Sequence, residues 1–306
     1  MPAATESSIA YLNGRFQLLE RTSVPVQDRG FLFGDGVYEV VPVYDGRPFQ
    51  LAAHLKRLRK SLQAVGISNP MSEIQWLQVI CDLVEQNGDG DMSVYIQVTR
   101  GVAPRNHAYP ADSNPTVFMM PQALPEDPAF DWQAGLSAMT TEDFRWQRCD
   151  IKSISLMANV MLRQMAVEQG ADAMILLRDG FVTEGAASSV FVVMSGEVVT
   201  PPLSGKLLPG ITRKMVIDLC RKEGIPLREA PVSLKSLQQA DEVWLTGSTL
   251  GVMPVVMLDG HPLKDGEPGA IWQRVDQLYR TRTGQRARHY NGQHELPLDS
   301  ATAEAG

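Results

Sequence analysis

The stretch Asp28-Arg29-Gly30-Phe31-Leu32-Phe33-Gly34-Asp35-Gly36-Val37-Tyr38-Glu39 opens its second half like the Gly-x-Gly-x-x-Gly turn that cradles a dinucleotide. Glu39 stands where the third glycine belongs. That turn must also deliver a helix N-terminus to the pyrophosphate. Here Val37–Tyr44 is rich in β-branched and aromatic residues and reads as a strand running to the turn pair Asp45-Gly46. The dinucleotide reading is rejected.

Outward from this strand the pattern is of alternating hairpins and helices. Upstream, Ile9–Leu12 and Arg15–Leu18 flank Asn13-Gly14, a pair suited to the positive φ angles of a tight hairpin. Downstream, Arg47–Gln50 returns from Asp45-Gly46, and Leu51, Leu55, Leu58, Leu62 and Val65 then recur at helical spacing up to Gly66. A second helix is expected over Ser72–Asn87, followed by a strand in which Val94, Ile96 and Val98 alternate with polar neighbours. A Gly/Pro-punctuated loop after Arg100 leads to a strand at Thr116–Met120.

Pro121, Pro125 and Pro128 remove backbone donors within eight residues, so a boundary is expected there. The chain divides into an N-terminal α/β domain (1–121), a linker (122–131), a C-terminal domain (132–284) and a polar tail (285–306). In the second domain we read helices over about Ser155–Gln169, Thr212–Glu223 and Ala270–Arg282. Strands are expected at Ala173–Leu177, Phe181–Glu184, Val190–Met194, Glu197–Thr200, Glu242–Thr246 and Val255–Leu258, a pattern rich in antiparallel pairs.

Composition removes several function classes. The chain has 306 residues, long enough to bury two cores without a disulfide framework or structural metal. Its 28 basic and 35 acidic residues leave a net charge of -7, which gives no general attraction to nucleic acid or anionic membranes. Cys81, Cys149 and Cys220 form no Cys-x-x-Cys pair, and the five histidines form no ligand pair at helical spacing, so no metal site is expected. With no exported leader and no run of 18 apolar residues, the expectation is a cytoplasmic enzyme. P-loop, metalloprotease and serine-hydrolase signatures are absent.

Five segments remain whose co-occurrence is more specific than any one of them: Asp28 to Glu39, His54-Leu55-Lys56-Arg57-Leu58, Cys149-Asp150-Ile151-Lys152-Ser153, Thr183-Glu184-Gly185, and Leu208-Pro209-Gly210-Ile211-Thr212-Arg213. In this order they closely resemble the fold-type IV pyridoxal-phosphate enzymes, over about residues 9 to 282. The resemblance implies an α+β chain of two domains, a small α/β domain and a larger strand-rich pseudo-barrel, with pyridoxal 5'-phosphate between them. Arg100-Gly101-Val102-Ala103-Pro104-Arg105-Asn106-His107 is similar to the D-amino acid aminotransferase branch.

By that resemblance Lys152 is the amine that holds the cofactor covalently and moves the substrate proton. Taken alone, it would read as a solvated lysine. Glu184, at a strand end before Gly185, would keep the pyridine nitrogen protonated. Gly210-Ile211-Thr212 looks like a helix start, where exposed N–H groups suit a phosphate, with the Thr212 hydroxyl as a further donor. Arg57 and Ser248 match the family's other phosphate ligands, and Ser188, Leu208 and Ile211 complete the cofactor set. Arg57 by itself would read as part of a basic helix face. Tyr38, Arg105, His107, Ser248 and Thr249 are the expected substrate contacts, Arg105 and His107 reaching across from a second subunit of a homodimer. The chain departs from the pattern at Ala187, Ser189, Gly247 and Leu250, where more polar residues are common.

The implied activity is ping-pong exchange of an amino group between a D-amino acid, such as D-alanine or D-glutamate, and a 2-oxo acid such as pyruvate or 2-oxoglutarate. A branched-chain L-amino acid or (R)-amine transaminase and an aminodeoxychorismate lyase are the alternatives. They would share Lys152 and Glu184, so the carboxylate-binding segment must separate them.

Overall fold

The computed structural model describes residues 8–88, 90–124 and 134–285. Residues 125–131 of the expected linker and 286–306 of the expected tail lie outside them.

The first part of the chain forms β1 (Ile9–Leu12), β2 (Arg15–Leu18), α1 (Arg29–Phe33), β3 (Gly36–Tyr44), β4 (Arg47–Pro48), α2 (Leu51–Ala64), α3 (Glu73–Asn87), β5 (Met92–Thr99) and β6 (Thr116–Ala123). Its strands make an antiparallel sheet in the order β2-β1-β6-β5-β3-β4. Alternation along the strands sends Val37, Val41, Ile96, Val98 and Met119 to one face, where Leu58 and Leu62 of α2 and Trp76 and Ile80 of α3 cover them. Each such side chain contributes about 1.5–3 kcal/mol by leaving water. Tyr38 falls on the opposite face and stays half-buried.

Local chemistry explains most boundaries. Asp28 caps α1 by accepting from the Gly30 N–H at 2.8 Å, and Gly34 ends it in the left-handed region. Ser72 and Gln75 cap α3 reciprocally. The expected return strand is shorter than read, because Gln50 takes a φ of 54° and ends pairing before α2.

The second part contains β7 (Leu136–Glu142), α4 (Met157–Glu168), β8 (Ala173–Arg178), β9 (Phe181–Gly185), β10 (Ser189–Met194), β11 (Glu197–Thr200), α5 (Ile211–Lys222), β12 (Leu227–Glu229), α6 (Leu234–Gln238), β13 (Glu242–Gly247), β14 (Gly251–Leu258), β15 (His261–Pro262) and α7 (Ala270–Thr283). The sheet order is β12-β11-β10-β13-β14-β7-β8-β9, with β15 on β14. It is more mixed than the sequence suggested: β11/β12, β14/β7 and β7/β8 run parallel. The crossovers cause this, since α4 carries the chain from β7 back to start β8 in the same direction. Helix α4 starts at Met157, not Ser155, whose hydroxyl is engaged with the Gly34 carbonyl. Helices α5 and α7 pack Val216, Ile217, Trp272 and Tyr279 against Phe191 and Trp244 of the sheet.

The two sheets meet where Val37 bridges Ser153 and the Tyr38 N–H donates to the Lys152 carbonyl at 2.9 Å. The molecule is an α+β fold with a cleft at this seam.

Candidate active site

A cavity of about 680 Å³ opens at the seam. Tyr38, Arg57, Lys152, Glu184, Ser188, Leu208, Ile211, Thr212 and Ser248 line it, so residues spread over more than two-thirds of the chain converge on one space.

Lys152 is half-buried, and its Nζ lies 4.0 Å from the centre of the Tyr38 ring. Its own N–H donates to Ser61 Oγ of α2 at 3.3 Å. Backbone contacts on both sides thus hold the residue at the cavity wall while its amine stays reachable.

Glu184, near the end of β9, is 5% exposed. Burial pushes its carboxyl up to about 7, against the Arg145 guanidinium and the Leu208 N–H, which both favour the charged form. Arg145 Nη1 donates to Oε1 at 2.5 Å and Leu208 N to Oε2 at 2.9 Å. Leu208 therefore acts through its backbone. Asp143 in turn holds Arg145 through Nε and Nη2, both at 2.9 Å, and also receives Arg178 at 3.0 Å. Arg145 and Asp143 were missed in the sequence, because no spacing rule ties a loop arginine to a strand carboxylate 39 residues on.

Arg57 is anchored by every nitrogen of its guanidinium. Its Nε and Nη2 donate to the two carboxylate oxygens of fully buried Glu39 at 2.7 and 2.8 Å, and His54 Nδ1 lies 2.8 Å from the same carboxylate. Burial would raise the Glu39 carboxyl, yet Arg57 and His54 together hold it well below the usual carboxylate range. Burial pushes the His54 imidazole the other way, towards its neutral form. Arg57 Nη1 donates to the Pro209 carbonyl at 3.1 Å, which brings the guanidinium to the start of α5.

That start is built for an anion. No side chain caps α5, so its first N–H groups are left to the cavity, and the dipole puts positive potential there. Gly210 leaves room for close approach: a Cβ would stand 2.6 Å from Ser189 Oγ, and that hydroxyl would have to shift. Among the described residues, the buried hydroxyl of Thr246 at the same cavity has no hydrogen-bond partner. An uncapped helix start and an unpartnered hydroxyl, beside the positive charge of the Arg57 guanidinium, fit the phosphate of pyridoxal phosphate.

Arg105, His107 and Thr249 do not line the cavity, and all three are exposed. The Arg105 guanidinium lies 5.4 Å from the centre of the Phe33 ring, and the His107 ring 5.5 Å from it. Arg29 fixes this loop by donating to the Asn106 carbonyl at 2.5 Å, and Asp35 pairs with both Arg29 and Arg100 at 2.7 and 2.8 Å.

Residues 36–258 match the amino-transferase class IV family. The chain is 42% identical over 265 residues to a D-alanine aminotransferase of Bacillus licheniformis, covering 86% of this chain and 93% of that one. It is 39% identical to a D-alanine aminotransferase of Listeria monocytogenes, over 85% and 91% of the two chains. Among solved structures, a branched-chain amino acid aminotransferase from Escherichia coli superposes with a TM-score of 0.82 at 24% identity, covering 91% of this chain and 95% of that one. The branched-chain aminotransferase of Thermoproteus uzoniensis, solved with norvaline, gives 0.82 at 26%, covering 91% and 96%.

Proposed function

The chain belongs to the class IV aminotransferases, a pyridoxal-phosphate-dependent family, and from this we propose that it exchanges the amino group between a D-amino acid of the D-alanine or D-glutamate type and a 2-oxo acid. The observation that carries the reading is the 42% identity to a D-alanine aminotransferase along nearly the whole of that protein. Likeness to the branched-chain enzymes, at 24 and 26% identity, lies in the fold.

The residues have distinct tasks in this reading. Arg57, the first N–H groups of α5, Thr212 and Ser248 hold the phosphate. Pyridoxal phosphate, once bound, supplies a sink for the electron pair left when the substrate Cα loses its proton. Lys152 takes that proton and returns it, with Tyr38 flanking its amine. Glu184 as a carboxylate would keep the ring nitrogen protonated, and the Arg145 guanidinium and the Leu208 N–H, which favour its charged form against burial, support that task.

Recognition of the substrate carboxylate falls to Arg105 and His107 of a second copy in a homodimer. Their exposure outside their own cavity supports this, as do Phe31, Met157 and Val160, which stay 76, 74 and 62% exposed on segments joined by the Ser155 to Gly34 hydrogen bond. No helix among the described residues is long and apolar enough to cross a membrane. Cys81, Cys149 and Cys220 are all free thiols, which suits a cytoplasmic setting.

A screen of D-amino acids, L-amino acids and simple (R)-amines against pyruvate and 2-oxoglutarate tests the proposal. Turnover should be highest with D-alanine or D-glutamate. Preference for L-leucine or L-valine would put the branched-chain reading in its place.

A further inference from the structure

Thr246 has no role in the set of residues read from the sequence, yet its hydroxyl, like the Arg213 Nε, is a buried donor at the cavity without a hydrogen-bond partner among the described residues. It lies in β13, is 2% exposed, and its Oγ1 has no hydrogen-bond partner among the described residues. A buried hydroxyl in that state has lost its water and gained nothing, and native interiors nearly always supply a partner.

Its position says which partner. Thr246 is the cross-strand neighbour of Ser189 on β10, and Ser189 Oγ lies 2.6 Å from the place a Gly210 Cβ would occupy. Gly210 is the N-cap of α5. Trp244, two residues back on the same strand face, packs against α5 and α7, so alternation turns Thr246 to the same side of the sheet as the start of α5. Ser248, the hydroxyl that the sequence favoured, follows the end of β13 at Gly247, whereas Thr246 is held in register by strands on both sides.

We propose that Thr246 is a phosphate-binding residue, its buried hydroxyl donating to a phosphate oxygen of the cofactor beside the N-terminus of α5. The inference rests on the cofactor and not on the preference for D-amino acids. It carries an unusual sign. The hydroxyl burdens the cofactor-free protein and rewards the loaded one, so removing it isosterically should act in opposite directions on the two.

The test strips the cofactor from wild type, Thr246→Val and Thr246→Ser, records the thermal midpoint of each cofactor-free protein, and titrates each with pyridoxal phosphate, pyridoxal and inorganic phosphate. Thr246→Val should weaken pyridoxal phosphate and inorganic phosphate alike by about tenfold, leave pyridoxal unchanged, and leave the cofactor-free midpoint equal or higher. Thr246→Ser should stay within about twofold of wild type. Unchanged pyridoxal phosphate affinity in Thr246→Val overturns the proposal, and so does an equal loss for pyridoxal, which would move the hydroxyl to the ring. A lowered cofactor-free midpoint would give the hydroxyl a partner within the protein and overturn it too. Thr246→Ala carries the same readouts if the valine variant does not fold, and a loss in Thr246→Ser as large as in Thr246→Val would make shape the cause. None of these affinities depends on which amino donor is preferred.

Discussion

The amine of Lys152 sits 4.0 Å from the centre of the Tyr38 ring while the Lys152 carbonyl accepts from the Tyr38 N–H at 2.9 Å, so one pair of residues is joined through both side chain and backbone. Lys152 should be the residue to which borohydride fixes the cofactor, and Lys152→Ala should abolish transamination. Tyr38→Phe keeps the ring face and should cost less in kcat than Tyr38→Ala, which exposes the amine. The label on another lysine peptide, or equal loss in both Tyr38 variants, would contradict this geometry.

Glu184 gives a pH signature with a defined sign. Its carboxyl is raised from 4.5 in the unfolded chain to about 7 in the fold, so the native state binds the proton more tightly. Its contribution to stability is present below pH 4.5 and is lost as pH rises through about 7. Glu184→Gln should remove this loss from the cofactor-free protein, so that the variant gains on wild type between those limits in denaturant titrations. With cofactor bound, the same variant should retain the cofactor yet slow single-turnover proton transfer. A stability difference that does not change with pH would refute the assignment.

Arg57 and Glu39 should behave as a buried pair of the opposite sign. Glu39 is lowered, so its contribution holds above the ordinary carboxylate range and fades as pH falls towards the native value. Arg57→Ala leaves the fully buried Glu39 charge with His54 alone and should destabilise by about 3–5 kcal/mol besides weakening cofactor retention. Adding Glu39→Gln should recover part of the stability but not the affinity. Equal recovery of both would mean that Arg57 acts on the cofactor only through the fold.

Mixing inactive Lys152→Ala with inactive Arg105→Ala protein tests whether Arg105 serves a neighbouring cavity. Heterodimers would contain one intact site and regain activity on D-alanine. Proven subunit exchange without any recovery would assign the loop to its own chain.

Much of the fold was legible because its signals are local. Asn13-Gly14 and Asp45-Gly46 announced hairpins that form at φ values of 46 and 91° and of 47 and 70°. The leucines of α2 and the closing glycine of α4 marked helices to within about two residues. Strand β7 was not read because Leu136-Ser137-Ala138-Met139-Thr140 lacks a β-branched run, and its burial is set by β8 and β14 on either side. The site followed the same division. Lys152, Glu184 and Arg57 were named through the resemblance, and the fold brings them to the wall of one cavity. Arg145, Glu39 and Thr246 were not found, because their significance lies in contacts between segments that no spacing encodes.

The place of β7 also sets a timetable for synthesis. Leu136–Glu142 lies between β8 and β14, parallel to both, and β14 begins only at Gly251. At a ribosomal pace of ~5–20 residues per second, one side of β7 waits on the order of 5–20 s for its partner to emerge. The first sheet has a comparable wait, of β1 (Ile9–Leu12) for β6 (Thr116–Ala123), but that wait is over once Ala123 has emerged. The nascent chain thus exposes an unpaired strand edge in its second half while its first half is already packed, which makes that interval the point at which chaperone binding or aggregation would compete with folding.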